Sequence, residues 1–182
     1  MPSDGKARVA GTRLASVRVM KYGQAFVAGV VGGVLVSAVT AVARALGILV
    51  NFELLLGTIL GHSPSLATWL AGLAAHLLIA GSLGLAYGWG FENLSGRADW
   101  RVGLGFGAVH AIAAGILIWG LPAIHPLVTE RIPAPGPFLS RLGGLGVLVG
   151  IGVHLMYGAV VGALYGPTRR YSAASATFRR AA

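Results

Sequence analysis

Apolar residues fill four long stretches of this 182-residue chain, and polar residues gather at its two ends and at the breaks between the stretches. Residues 1–22 form a polar arm that carries Lys6, Arg8, Arg13, Arg18 and Lys21. The apolar run from about residue 25 to 60 is too long for one crossing, because about 20 residues span the hydrocarbon core. Arg44 and the segment Asn51–Glu53 break it. The pattern predicts a first span over 24–47 and a short helix over 52–60, with Asn51 as N-cap, Glu53 in the first turn and Gly61 at the stop. Nine residues rise only about 13 Å, so this helix is expected to be interfacial or re-entrant at the outer side. Ser63-Pro64 reads as a cap with a first-turn proline and opens a second span over 65–91. A third span covers 100–121, a loop with five of the eight prolines follows, and a fourth span covers 142–165. Residues 167–182 form a basic tail. The expected fold is an all-α integral membrane protein with a four-helix membrane domain over 23–166.

Tryptophans test these limits. Trp69 and Trp89 bracket the second span and Trp100 and Trp119 the third, separations of about 30 and 28 Å along a helix. That matches the hydrocarbon thickness, and indoles prefer the headgroup level. Basic residues set the direction. The amino arm holds five, the 93–101 loop two and the tail four, against Arg131 and Arg141 on the opposite side. Both termini are therefore expected in the cytoplasm. Ala41-Val42-Ala43 has the form of a signal-peptidase site, but the basic arm is long and the apolar run exceeds a signal h-region, so the span is read as retained.

Composition narrows the class. Charged residues make up 10% of the chain and hydrophobic residues 55%, against about 25% charged in soluble domains. So few charges cannot clothe a soluble globule, and so much apolar surface excludes disorder. The net charge of +9 sits mainly at the ends. It reads as a topology signal and a contact with anionic lipids, not as a nucleic-acid surface, since no aromatic-basic module accompanies it. Cysteine is absent, which removes disulfides, thiolate metal sites and thiol nucleophiles. There is no Walker loop or HExxH, and Gly103, Gly105 and Gly107 lie inside a span, so nothing points to an enzyme.

A shift of 78 residues aligns the second and fourth spans: His76-Leu77 with His154-Leu155, Gly84 with Gly162, and Tyr87-Gly88 with Tyr165-Gly166. The first and third spans match more weakly, at Gly29 with Gly107 and Val31 with Val109. The halves are expected to be two parallel hairpin pseudo-repeats about an axis along the membrane normal. Small residues recur at every fourth position of each span, as at Gly29, Gly33 and Ser37 or Gly150, His154, Gly158 and Gly162. Such ridges let helix backbones approach closely. They predict tight packing, with a homo-oligomer or a larger membrane complex as its extension.

His76, His110 and His154 fall within the spans, where ionisable residues mark functional candidates. Three uses are open. Interhelical hydrogen bonding alone would make them packing groups of a non-catalytic structural or accessory component, which is the leading expectation. A b-type haem held by His76 and His154, with His110 as a further ligand, would make an electron-transfer subunit. A proton path through the three imidazoles, with Tyr157 near His154, would make a small proton or ion channel or transporter. At the outer face, His62, His125, Glu53 and Glu130 could hold a metal through nitrogen and oxygen, or form solvated pairs such as Arg44 with Glu53.

The segments Gly107-Ala108-Val109-His110, Gly152-Val153-His154-Leu155 and Gly162-Ala163-Leu164-Tyr165-Gly166, with His125-Pro126 after the third span, carry a resemblance. Over residues 23–166 the chain resembles small four-helix prokaryotic inner-membrane proteins that carry no assigned activity. That resemblance implies the four-helix fold and an inner-membrane location. The extra helix over 52–60 and the long Pro-rich loop depart from the compact form.

Overall fold

The computed structural model describes residues 16–60, 62–129, 131–168 and 170–172; the rest of the basic arm and tail, Glu130, and Gly61 with its expected role as helix stop lie outside them. The described chain forms helices α1 (Tyr22–Ala45), α2 (Phe52–Gly57), α3 (Leu66–Gly90), α4 (Trp100–Leu117) and α5 (Gly143–Tyr165). A π-helical turn at Phe91–Ser95 prolongs α3, a 3-10 turn at Ile118–Ala123 prolongs α4, and another at Pro137–Leu142 leads into α5. Four of these helices are long and apolar enough to cross a membrane. They lie within a few residues of the expected spans, and the architecture is a helical bundle whose four long helices could span a membrane. A short ribbon, Ser16–Arg18 (β1) antiparallel to Arg170–Ser172 (β2), joins the two ends of the chain.

Local chemistry sets the helix ends. Asn51 Oδ1 accepts from the Leu54 N–H at 3.0 Å and caps α2 as expected. That helix is shorter than predicted and ends at Gly57, where the Thr58 hydroxyl donates to the Leu54 carbonyl at 2.7 Å. The cap of α3 is Ser65, not Ser63: Ser65 Oγ accepts from Thr68 N–H while Thr68 Oγ1 accepts from Ser65 N–H, a reciprocal capping box. Asp99 caps α4 through the N–H groups of Arg101 and Val102. At the end of α1, Gly47 has φ +89 and its N–H meets the Arg44 carbonyl, while Ile48 N–H meets that of Ala43. This is a Schellman stop, and the glycine supplies the left-handed residue it needs. Lys21, just before α1, reaches across to the open carbonyls of Tyr165 and Pro167 at the end of α5.

The bundle is packed with small residues and aromatics on the inside and aliphatic residues on the outside. Ala25, Ala28, Ala80, Tyr87, Phe91, Tyr157, Val161 and Tyr165 form the core, whereas Val27, Val34, Leu78, Ile112 and Leu148 point outward. This suits a lipid-facing surface, where close backbone approach and not hydrophobic burial holds helices together.

Glycine seams make that approach possible. On α1 and α3, a Cβ on Gly29 would overlap the Ala80 carbonyl, and one on Gly84 would overlap the Ala25 carbonyl. On α4 and α5, a Cβ on Gly107 would lie 2.6 Å from the His154 carbonyl, and Gly158 and Gly162 face the carbonyls of Gly103 and Asp99. The two seams are alike in kind. Moved by 78 residues, however, the first would place Gly107 on Gly158; the second is slipped from that register by four residues, one helical turn. The slip sets Gly107 against His154.

A third seam joins α2 to α3, where Gly57 meets the Thr68 carbonyl and Gly72 meets the Glu53 carbonyl. Thus α2 runs antiparallel to α3 and begins beside Gly72, about 9 Å along α3 from its first residue. The α1–α3 register carries the end of α1 level with the start of α3, so residues 46–51 double back along the bundle before α2 climbs again. Residues of the Pro-rich loop close over this hairpin: Val128 and Ala134 pack with Leu55, flanked by Phe52, Leu121 and Ile132.

Candidate functional site

Three polar clusters interrupt the apolar interior. The first gathers where α1 ends, α2 begins and α3 passes. Arg44, in the last turn of α1, donates from Nη1 to the Val50 carbonyl at 3.0 Å and to Glu53 Oε2 at 3.2 Å. Glu53 is fully buried, because the Gly57–Gly72 seam presses α2 onto α3. Its second oxygen, Oε1, has no hydrogen-bond partner among the described residues and faces His76 Nδ1 at 4.0 Å. The same nitrogen shares a hydrogen bond with Ser37 Oγ at 3.0 Å. The Phe52 ring stands edge-to-face against the imidazole, 5.5 Å between centroids. Burying a carboxylate is costly unless a charge compensates it; here one oxygen is compensated by Arg44 and the other is left open toward an imidazole.

The second cluster lies in the middle of the bundle. The Gly107 seam brings α4 onto α5 at His154, and His110, one turn further along α4, packs edge-to-face on the His154 ring with 4.6 Å between centroids. The two rings are not hydrogen-bonded to one another. His154 Nδ1 donates to its own helix, to the Gly150 carbonyl at 2.6 Å. His110 Nδ1 shares a hydrogen bond with the Tyr87 hydroxyl at 3.2 Å. Tyr157 stacks against both Tyr87 and His110, and its hydroxyl donates to the Ala80 carbonyl at 2.5 Å.

The third cluster lies toward the ribbon end. Tyr165 donates to the buried Glu92 at 2.8 Å and accepts from the Lys21 N–H at 3.2 Å. Glu92 belongs to the π-helical turn, a distortion that often marks functional positions. Phe91 and Phe106, their rings 5.1 Å apart, lie between this cluster and Tyr87 of the middle one.

The expected arrangements are met unevenly. The Arg44–Glu53 pair forms, but with Glu53 fully buried and not solvated as expected. His110 and His154 come together, whereas His76 belongs to the first cluster. One turn past His76 and His154, Tyr157 bridges α3 and α5 by its bond to the Ala80 carbonyl and lays its ring on Gly32. The outer metal set is not assembled. His125 is buried and uses both nitrogens, Nδ1 accepting from Leu127 N–H at 3.2 Å and Nε2 donating to the Leu55 carbonyl at 2.9 Å. Glu53 points to Arg44 and His76, His62 is exposed, and Glu130 lies outside the described residues. Among the described residues no three His, Cys, Asp or Glu side chains converge on a metal position. Ser37, Phe52, Tyr87, Glu92 and Tyr165 were not singled out as site residues from sequence. The alignment of Tyr87 with Tyr165 was the signal for the two tyrosines; nothing in the linear pattern brings Ser37 to His76.

No protein-family model matches the chain, and neither the curated proteins nor the solved structures contain one that matches it.

Proposed function

We propose that the protein lies in an inner, cytoplasmic membrane with both ends in the cytoplasm, and that it conducts protons along the interior of its bundle. The observation that carries this reading is Glu53, a fully buried carboxylate whose Oε1 has no hydrogen bond and stands 4.0 Å from His76 Nδ1. Buried polar atoms are nearly always satisfied, and exceptions call for an explanation. Arg44 engages one oxygen of Glu53 and leaves the other facing an imidazole. An open acceptor beside an imidazole is instead suited to receive a proton and pass it on.

On this reading residues 46–57 are a re-entrant hairpin, and the two helical hairpins are parallel pseudo-repeats slipped by one turn. His76 is seven residues from Trp69, about 10 Å below the outer belt. Arg44, with 23% of its side chain exposed, marks the outer mouth. Glu53 takes up a proton there and gives it to His76 Nδ1. The imidazolium releases its other proton inward, past Tyr157, to the His154–His110 pair and the Tyr87 hydroxyl. Phe91 and Phe106 form an apolar plug before the Glu92–Tyr165 pair, and wetting of that plug gates conduction. Proteoliposomes with a trapped pH dye test the proposal. Under an imposed pH gradient the wild-type chain carries protons, and Glu53→Gln or His76→Ala slows the flux at least about tenfold. Unchanged flux in both variants refutes it.

A second reading, a structural or accessory component of an oligomer or larger complex, is favoured by a groove of about 340 Å³ between α3 and α4, lined by Leu94, Val102, Gly105, Phe106 and Val109. A Cβ on Gly105 would meet nothing within 4 Å from other parts of the described chain, so a second helix can seat there. The mass of the protein in detergent or lipid nanodiscs, with and without Gly105→Leu, tests it.

A further inference from the structure

We infer that the groove between α3 and α4 seats one phospholipid with an anionic headgroup, its acyl chain in the groove and its phosphate on Arg97 and Arg101. The inference depends on the four long helices crossing a bilayer and stands apart from proton conduction and from the direction of insertion.

The groove itself is apolar. Its volume is about 340 Å³ and its walls are Leu94, Val102, Gly105, Phe106 and Val109. Four of these five repeat at the three- and four-residue steps of one face of α4, so the groove follows that helix for about 10 Å. Gly105 leaves the middle of that face without a side chain, and the Phe106 ring lies against Gly90 of α3. Leu94 and Val109, at its two ends, are 70% and 69% exposed. A slot with hydrocarbon walls in a lipid-facing surface takes a hydrocarbon chain.

One end of the groove is basic. Arg101 stands one turn before Gly105 on the same face of α4, and its guanidinium lies over the Trp100 ring, 5.2 Å from the centroid. The charges of Arg97 and Arg101 both act on the Asp99 carboxylate, so the two arginines flank the same helix start. Asp99 opposes an anion there, but its Oδ1 is turned to the Arg101 and Val102 N–H groups as the cap. Further arginines adjoin this loop: Thr168 donates to the Gly96 carbonyl at 2.8 Å, and the ribbon that pairs Arg18 with Arg170 follows two residues later. Trp89 and Trp100 are both more than half exposed, which places this end at headgroup level.

The charge selects the occupant. A guanidinium fork pairs with phosphate oxygens through two parallel hydrogen bonds, and basic pockets between membrane helices hold anionic headgroups. A zwitterionic lipid offers the same chain but sets a second cation beside the arginines. A second copy of this chain, turned about an axis along the membrane normal, would bring its own Arg97 and Arg101 to the same level and repel. A helix of another protein would fill the groove without engaging the arginines.

Native mass spectrometry of the full-length chain, released from nanodiscs made of phosphatidylglycerol and phosphatidylcholine in equal parts, tests the site. The wild type is expected to keep one phosphatidylglycerol per chain, favoured at least about tenfold over phosphatidylcholine. Arg97→Gln combined with Arg101→Gln abolishes that preference. Gly105→Leu, which fills the notch, removes retention of both lipids, and Arg141→Gln, at the other end of the bundle, changes nothing. Equal or no retention of the two lipids by the wild type overturns the inference, and so does a preference that survives the double substitution. A dimer mass that Gly105→Leu abolishes while the lipid count stays the same also overturns it, since the groove then holds a helix.

Discussion

Glu53 and His76 face one another across 4.0 Å, and the carboxylate oxygen nearer the imidazole carries no hydrogen bond. The carboxylate's other oxygen is held by Arg44 at 3.2 Å. Packing and proton transfer therefore make different demands on the two oxygens, and substitutions separate them. Glu53→Gln keeps the volume and an acceptor for Arg44, so the fold persists while flux is lost. Glu53→Ala strands Arg44. It destabilises the protein by about 2–3 kcal/mol, below the 3–5 of a fully buried pair, because Arg44 keeps 23% exposure. Thermal unfolding in detergent, read beside flux, distinguishes the two variants.

The glycine seams divide the glycines into two classes. Gly29, Gly84 and Gly158 each face backbone atoms that a side chain would overlap, whereas a Cβ on Gly105 or Gly152 would meet nothing within 4 Å from other parts of the described chain. Gly84→Val is expected to lower stability by at least about 1–3 kcal/mol through overpacking. Gly105→Ala and Gly152→Ala are neutral or raise it by up to about 1 kcal/mol, the helix propensity difference. Equal losses at both classes would contradict the seam geometry.

How much of this was legible in the sequence follows the range of the forces involved. The spans came from apolar length and tryptophan spacing, which are local, and they agree with the helices to within a few residues. The Asn51 cap and the Arg44–Glu53 pair were also readable, since the partners are close in the chain. The cap falls at Ser65 and not at Ser63, because Thr68 completes a reciprocal box with Ser65 that only the bonds reveal. The meeting of His110 with His154 in place of a His76–His154 pair depends on a one-turn slip between seams. No periodicity encodes that slip; it is set by which glycine meets which carbonyl. The loop over 122–137 read as a connection only. Its packing on α2 depends on Val128 and Ala134 meeting Leu55, a contact between distant segments.

Asp99 gives a pH dependence outside the spans. The Val102 N–H first, then the Arg101 N–H and the nearby Arg97 and Arg101 charges, hold its carboxyl below the usual range, against a smaller opposing effect of desolvation. Its folded value is depressed, so the cap's contribution is complete above the unfolded value near 4 and is lost as pH falls through the folded value. Amide exchange at Arg101 and Val102, corrected for intrinsic rate, should rise on acidification below that point. In Asp99→Asn, which caps without titrating, the rise should be absent; in Asp99→Ala exchange is fast throughout.

His125 clips the Pro-rich loop to α2 through the Leu55 carbonyl. His125→Phe removes that donor and leaves a buried carbonyl short of a partner, a loss of about 1–3 kcal/mol. The loop over 122–137 should become open to limited proteolysis, with the four long helices unchanged by circular dichroism. A loop as resistant as in the wild type would count against the clip.

The absence of cysteine allows single labels to be introduced for topology. Ser63→Cys should react with an impermeant maleimide from the outer side and Arg97→Cys only after the membrane is opened. The opposite pattern would reverse the orientation.

The most direct measurement of the central claim is the reversal potential of the purified protein in a planar bilayer under a pH gradient. A proton-selective path through Glu53 and His76 predicts a shift of about 59 mV per pH unit, the value for one charge per tenfold gradient, and its disappearance in Glu53→Gln. A bilayer that contains correctly inserted wild-type protein and shows no pH-dependent current, or a current that Glu53→Gln leaves intact, would contradict the account.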